Sequence, residues 1–308
     1  MDPETKRILE RQQYRLVGKH SAVKICHWMR QKILYGRPCY KEVFYGIDSH
    51  RCLQFTPTID QCNHNCLFCW RHQHYNENVS FTDDEPEDVL KKAVLAQRQL
   101  ISGFKGDARC DLRLWEEAQE PNQVAISLAG EPTFYKYLSD FIALCGRKGM
   151  RTFLVTNGTL PKVLENLDPL PDQLYVTVAA PTEEIYKRLC VPSIKNGWKM
   201  LLQTLQLLPS LDTRTVIRHT LVKGWNMSEI EKYAKLDLLA EPMFIEPKGY
   251  VFVGSSRMRM SMANMPSFED VQKFSEKLCA EIGYNLSGFQ KSSRVTLLTR
   301  EKRYKRFK

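Results

Sequence analysis

The chain has 308 residues, 43% of them hydrophobic and 26% charged, with ten cysteines and a formal net charge of +10. That apolar content supports a real core in one α/β domain with elaborations, and it excludes an extended polar chain. No apolar run approaches the roughly 20 residues that span a bilayer, and the start, "MDPETKRILERQQYRLVGKH", is charged where a secretory leader is apolar; the expectation is a cytoplasmic protein without membrane association.

Residues 1–50 read as a helical extension carrying ten Lys/Arg against five Asp/Glu. They hold Cys26 and Cys39, and Cys52 follows at the same interval of thirteen residues, too wide for a local metal knuckle. On generic grounds buried single cysteines explain that spacing better, because free Cys packs as a small apolar residue. A first strand, "CLQFTPTI", leads into "QCNHNCLFCWR", with Cys62, Cys66 and Cys69 in one eight-residue window. In a reducing compartment such a cluster reads as metal-binding or catalytic before it reads as disulfides.

Residues 81–120 begin acidic and continue as helix, a crossover with an insertion. From about residue 121 a unit repeats: a short apolar strand, a turn of small or polar residues, an amphipathic helix. The expected strands are residues 124–128, 152–156, 174–178, 215–222 and 243–252, the last interrupted at "EPKG". Between them "YKYLSDFIALCGRKG" and "NGWKMLLQTLQLLPS" have helical apolar periods and stop at Gly or before Pro209. Alternating strands and helices imply parallel strands joined by right-handed crossovers, here a (β/α)6 partial TIM barrel over residues 51–255.

Residues 256–308 read as a helix and strand extension packed on the core and ending in a basic tail, and no Ser/Gly-rich linker separates independent domains; a monomer is expected. The last ten residues carry six Lys/Arg against one Asp/Glu, while residues 51–298 hold 29 of each. A neutral body with two cationic ends points to nucleic acid. Arg303, Lys305 and Arg306 flank Tyr304, an arrangement suited to stacking and phosphate contact with RNA; the plain alternative is a solvated tail.

Barrels of this kind place chemistry at the C-terminal ends of their strands. There the sequence puts "AGEPTFY", "TNGTL", "AAPTEE" and "VKGWN". Structural zinc takes four protein ligands, which here would need a distant His64, His72 or His74. A [4Fe–4S] cluster normally takes four cysteines, one per iron, so three leave one iron open to something that is not protein.

The C-x3-C-x2-C loop, with Phe68 as the aromatic before its last cysteine, resembles the signature of radical S-adenosylmethionine enzymes. The resemblance implies a [4Fe–4S] cluster on Cys62, Cys66 and Cys69 whose open iron chelates S-adenosylmethionine, and a 5′-deoxyadenosyl radical that takes hydrogen from substrate. Ala129, Gly130 and Glu131 match the segment that holds the methionine amino group, with Ala in place of the usual first Gly. Asn157 and Thr177 would lie along the cofactor's polar groups, and Ala179 stands where relatives often carry an acidic residue.

Over nearly the whole chain, "SLAGEPTFY", "LVTNGT", "IRHTLVKGWN", "IEPKGYVFVG" and "NMPSFEDV" resemble the tRNA 4-demethylwyosine synthase family, in its compact archaeal form without a leading flavodoxin-like domain. This implies a second [4Fe–4S] cluster on Cys26, Cys39 and Cys52. It implies condensation of N1-methylguanosine, next to the anticodon of phenylalanine tRNA, with pyruvate, and an external electron donor such as flavodoxin or ferredoxin. Pyruvate would be held by the second cluster or as an imine on Lys41. In the fifth barrel-repeat strand, Arg218, His219, Thr220, Lys223 and Asn226 point partly into the barrel mouth, where Arg218 or Lys223 could grip a phosphate or the pyruvate carboxylate.

Cys110, Cys145, Cys190 and Cys279 read as structural, and Met258, Met260, Met262 and Met265 as a pliable strip beside two arginines available to tRNA. Two competing readings are a glycyl-radical activase and a non-catalytic zinc-bearing RNA-binding module. The basic termini and the paired cysteine sets favour the tRNA enzyme.

Overall fold

The computed structural model describes residues 1, 3–73 and 80–307; His74 and the tail residue Lys308 lie outside them. The N-terminal region contains the expected helices, α1 (Pro3–Arg11), α2 (His27–Tyr35) and α3 (Tyr40–Tyr45), and two strands the sequence reading missed, β1 (Arg15–Leu16) and β2 (Ala22–Val23). At two residues each, these strands are too short for an alternation to register. They pair antiparallel with each other, and β2 pairs with β3 (Cys52–Thr56), the first barrel strand.

Six strands then run parallel: β3, β4 (Gln123–Ile126), β5 (Arg151–Thr156), β6 (Gln173–Thr177), β7 (Arg214–Leu221) and β8 (Phe244–Gly249). Each begins within one residue of its expected position. The crossovers are α4 (Pro86–Ile101) with α5 (Leu112–Glu117), α6 (Leu138–Arg147), α7 (Pro161–Glu165), α8 (Glu183–Cys190) with α9 (Gly197–Leu207), and α10 (Ile230–Ala240). The expected interruption at "EPKG" is absent. β8 pairs with β7 from Phe244 to Gly249, and on its other edge the register resumes past Pro247, with Lys248 opposite Val295. Pro247 removes one donor without shifting the ladder.

After β8 the chain makes two 3-10 turns and α11 (Phe268–Ile282). Ser267 and Asp270 cap this helix reciprocally and Gly283, at φ 73°, ends it. The hairpin β9 (Asn285–Gln290) and β10 (Val295–Thr299) adds antiparallel to β8, so among the described residues one sheet runs β1-β2-β3-β4-β5-β6-β7-β8-β10-β9. Among the same residues no helix is long and apolar enough to cross a membrane.

Strand alternation divides the side chains. Leu154, Leu174, Val176, Ile217 and Ile245 face outward into the helix layer, while Phe153, Tyr175, Val216 and Phe244 face inward and fill one end of the barrel with Phe44 and Tyr45 of α3. The C-terminal tail closes that end. Tyr304 lies edge-on to Phe244 at 5.2 Å and its hydroxyl donates to Phe44 O at 2.9 Å. Phe307 packs edge-on against Phe153 at 5.6 Å, and Arg214 sits 4.2 Å over its ring while donating to Lys305 O at 2.7 Å.

The aromatic expected to stack on RNA is therefore spent on the core. Arg303, Lys305 and Arg306 are exposed, although Arg306 also donates to Glu42 O at 2.7 Å. Phe307→Ala should cost roughly 2 kcal/mol, less than a fully buried phenylalanine because this ring is only half-buried. Urea denaturation measures it; a variant as stable as the parent would show that the tail does not support the barrel.

Candidate active site

Above the aromatic layer, at the C-terminal ends of β3 to β8, opens a cavity of about 2000 Å³. Its floor is the inward set of successive strands: Cys52, Ala125, Val155, Thr177, Arg218 and Lys248. Both cysteine sets, Cys62/Cys66/Cys69 and Cys26/Cys39/Cys52, line it, as do Lys41, Phe68, Ala129, Gly130, Glu131 and Asn157.

The three-cysteine loop is held from several directions. Asn65 N–H donates to Val191 O, Leu67 N–H to Leu189 O and Ser193 N–H to Asn63 O, tying the loop to the end of α8. Arg259 donates to Leu67 O at 3.3 Å and Cys69 O at 2.5 Å, so this arginine, expected to be available to RNA, clamps the loop instead. His64, one of the alternative zinc ligands, shares its Nε2 with the Tyr186 hydroxyl at 2.7 Å, and burial holds its imidazole down to about 4. The thiols of Cys62, Cys66 and Cys69 are within electrostatic reach of one another, and burial pushes each of Cys62 and Cys69 up; for Cys66 a hydrogen bond with Cys190 contributes first, then burial.

The segment after β4 explains its own sequence. Gly130 has φ 72°, and a Cβ there would stand 1.7 Å from Thr58 O. The demand for glycine falls on this position and not on Ala129, whose carbonyl accepts from Thr56 Oγ1 at 2.5 Å; alanine is thus accommodated in place of the first glycine. The buried Glu131 carboxylate accepts from Thr133 Oγ1 and Thr156 Oγ1, each at 2.7 Å, and from Asn157 N–H at 2.7 Å. Burial pushes this carboxyl up and those donors oppose the shift. Asn157 Oδ1 accepts from Thr159 N–H and Oγ1 in the turn, and its Nδ2 donates to Asn63 Oδ1 at 2.8 Å, so its side chain ties this turn to the cysteine loop.

Opposite, Cys26 and Cys39 precede α2 and α3 as N-caps, and Cys52 opens β3. Residues isolated along the chain are brought together here: Cys39 and Cys52 both feel Cys26, and burial first, then that neighbour, pushes each up to about 12. Lys41 is buried between aromatic rings, 4.8 Å from the Phe153 centroid and 4.4 Å from that of Tyr175, and burial followed by Arg218 lowers its pKa. Arg218 pairs with the fully buried Glu246 at 2.9 Å, donates to Tyr40 Oη at 2.7 Å and lies 4.6 Å over Tyr175.

Thr220 also lines the cavity, but His219 points outward to Asp237 at 3.0 Å and Asn226 is buried against Val222 N–H and the Ala179 and Thr220 carbonyls. Lys223 is exposed and paired with Asp270 at 3.1 Å, apart from the cavity lining, as are Arg303, Lys305 and Arg306. The sequence reading missed the clamping role of Arg259, and it missed Glu246 and Lys248. For the last two a signal existed: with β8 uninterrupted, alternation puts Glu246 and Lys248 on the inner face beside Arg218 and Thr220.

The Radical SAM superfamily model matches residues 56–236 and the Wyosine base formation model residues 239–300. The chain is 46% identical to the S-adenosyl-L-methionine-dependent tRNA 4-demethylwyosine synthase of Pyrococcus abyssi, over 98% of this chain and 90% of that protein. It is 39% identical to that of Homo sapiens, TYW1, over 90% of this chain and 38% of that longer protein. Among solved structures, one of TYW1 with a lysine-pyruvate adduct bound superposes with a TM-score of 0.89 at 38% identity, covering 98% of this chain and 97% of the other. A crystal structure of archaeal TYW1 gives 0.81 at 35% identity, covering 98% of each.

A partial barrel with three thiols on the loop after its first strand, and a glycine-glutamate turn after the second, defines a radical S-adenosylmethionine enzyme, a class that carries a [4Fe–4S] cluster and binds S-adenosylmethionine. The donor set fits that group. Three thiols lie within electrostatic reach of one another along the cavity, with Glu131 beside Cys62 and with Cys190, from the end of α8, hydrogen-bonded to Cys66. Within this class the chain belongs to the tRNA 4-demethylwyosine synthase family.

Proposed function

We propose that this chain condenses N1-methylguanosine of phenylalanine tRNA with pyruvate, and that Lys41 holds the pyruvate beside a second [4Fe–4S] cluster on Cys26, Cys39 and Cys52. The observation that carries this reading is the single cavity onto which both cysteine sets and Lys41 open. A solved relative 38% identical, described with a lysine-pyruvate adduct, supports the imine over chelation alone. Bound at Cys62, Cys66 and Cys69, the cluster and S-adenosylmethionine would supply a 5′-deoxyadenosyl radical able to take hydrogen from the N-methyl group.

The chain's own residues then have separable tasks. Lys41 attacks the pyruvate ketone as the free amine; a C=N bond forms and the carbonyl oxygen leaves as water. Burial and Arg218 favour that neutral amine. Glu131 accepts hydrogen bonds in the cofactor half of the cavity, and Phe68 forms part of that wall. The methylated base enters between the two cysteine sets.

At the rim stand the exposed or half-buried Arg15, Lys24, Arg30 and Arg37, with Trp28 and Trp70. Trp70 is 47% exposed, a ring open to a splayed base, and the buried Arg71, 3.6 Å over it and donating to Tyr14 Oη at 3.1 Å, holds that ring in place. In this reading the rim, more than the docked tail, carries the RNA contact. Electrons come from an external donor of the flavodoxin or ferredoxin type, and the enzyme acts as a monomer in the cytoplasm, the compartment that its tRNA substrate favours.

Mass spectrometry of tRNA bearing N1-methylguanosine, after anaerobic incubation with protein, S-adenosylmethionine, pyruvate and a strong reductant, tests the reaction. Iron analysis tests the sites: about eight irons per chain are expected, and about four after Cys39→Ala, because each cubane holds four. Full iron in that variant would remove the second cluster, and zinc without iron would remove the radical chemistry.

A further inference from the structure

We infer that Lys248 is the positioning cation for the substrate carboxylate, the group that orients the keto acid for attack by Lys41. The inference rests on the reading that pyruvate is held at Lys41. Its own ground is the distribution of charge around the buried amine.

Of the cations on this side of the cavity, Arg218 is already neutralised. Its Nε and one terminal nitrogen donate to Glu246 Oε2 at 3.2 and 2.9 Å, and that nitrogen also reaches Tyr40 Oη. Glu246 is fully buried and accepts from Tyr45 Oη as well at 2.7 Å, so its pair with Arg218 is fixed. A carboxylate ligand arriving at Arg218 would face that resident carboxylate.

Lys248 differs. It lines the cavity from the next strand, its Nζ 4.9 Å from the Tyr40 ring centroid and 2.9 Å from Ser293 O, a neutral acceptor. Among the described residues it makes no ion pair, and the nearby carboxylate, Glu246, is the one committed to Arg218. Both Lys248 and Lys41 act electrostatically on the Cys39 thiol, which puts the two amines within reach of one cysteine. Arg294 also lines the cavity within electrostatic reach of Lys248, adding positive potential. Glu246 and the Cys39 thiol lie within electrostatic reach of Lys248 as well, and both favour its ammonium form.

The ligand this geometry takes is a short 2-oxo acid: a ketone carbon at Lys41 and a carboxylate at Lys248. A ketone without the acid should reach Lys41 but gain nothing from Lys248. Ser293 and Arg294 belong to the turn between β9 and β10, so this hairpin would act in substrate selection by fixing the lysine from above.

The test is reductive trapping with cyanoborohydride on the iron-reconstituted enzyme, read as adduct mass on Lys41 against concentration of pyruvate or of its methyl ester. Lys248→Gln should raise the pyruvate concentration for half-maximal trapping roughly tenfold or more, the loss of one charge-assisted contact, and leave ester trapping unchanged. Lys248→Arg should recover most of the difference. Equal pyruvate dependence in Lys248→Gln and the unaltered enzyme overturns the inference. Should the variant lose iron or fold poorly, the unaltered enzyme still decides: pyruvate and ester trapped at equal concentrations also overturn it. Absence of any adduct in the unaltered enzyme defeats the Lys41 reading itself.

Discussion

Gly130→Ala is expected to eliminate S-adenosylmethionine cleavage while the barrel stays folded. The left-handed backbone costs alanine about 1 kcal/mol, the smaller effect. The larger one is steric, since the new Cβ would meet Thr58 O at 1.7 Å and Gln61 O at 2.8 Å. Neither oxygen is a flexible side-chain end, so the chain between Thr58 and Gln61 must move. That displacement carries Cys62, the next residue, and it breaks the bond from Glu131 N–H to Gln61 O, now 2.8 Å.

The iron held by Cys62, Cys66 and Cys69 should fall, and 5′-deoxyadenosine should not form under strong reductant. Ala129→Gly is the matched control and should behave as the parent, because Ala129 adopts no positive φ. Cleavage at the parental rate in Gly130→Ala would show that the turn has room the structure denies it.

Lys41→Met should eliminate the tricyclic product and keep both iron content and S-adenosylmethionine cleavage. Methionine fits an apolar slot between Phe153 and Tyr175 at similar volume, so the fold is expected to survive. The informative companion is Lys41→Arg, which keeps a cation over the same rings but offers no nucleophile at neutral pH. If Lys41 acts as an amine, both variants are inactive and neither yields a trapped adduct. Substantial product from Lys41→Arg would mean that the residue contributes charge only, and the imine would have to be abandoned.

Much of the site was legible because its signals are local. The spacing of Cys62, Cys66 and Cys69 fits one loop, and the alternation of apolar runs and amphipathic helices located the start of every barrel strand. Gly130-Glu131 and the turn at Asn157-Gly158 also announce themselves, since small residues after a strand have few other uses.

What failed to read from the sequence depends on partners far away in the chain. The cations at the two ends looked alike, yet the tail residues around Tyr304 dock beneath the barrel while Lys24 and Arg37 line its mouth. Composition counts charge but does not say which ring an arginine lies over. "EPKG" was read as a break because a proline usually ends a strand; here antiparallel β10 covers that edge and β7 supports the other, so the ladder carries it.

By itself, then, the sequence determined the parallel barrel, the three-thiol loop and the glycine that loop requires, all properties of residues close together along the chain. Only the tertiary structure decided that Cys26, Cys39 and Cys52 converge, that Arg218 is consumed by Glu246 and that Lys248 is not. The reason is closure: inward side chains of strands distant in sequence meet only when the sheet curls, and which charges cancel is settled by that meeting.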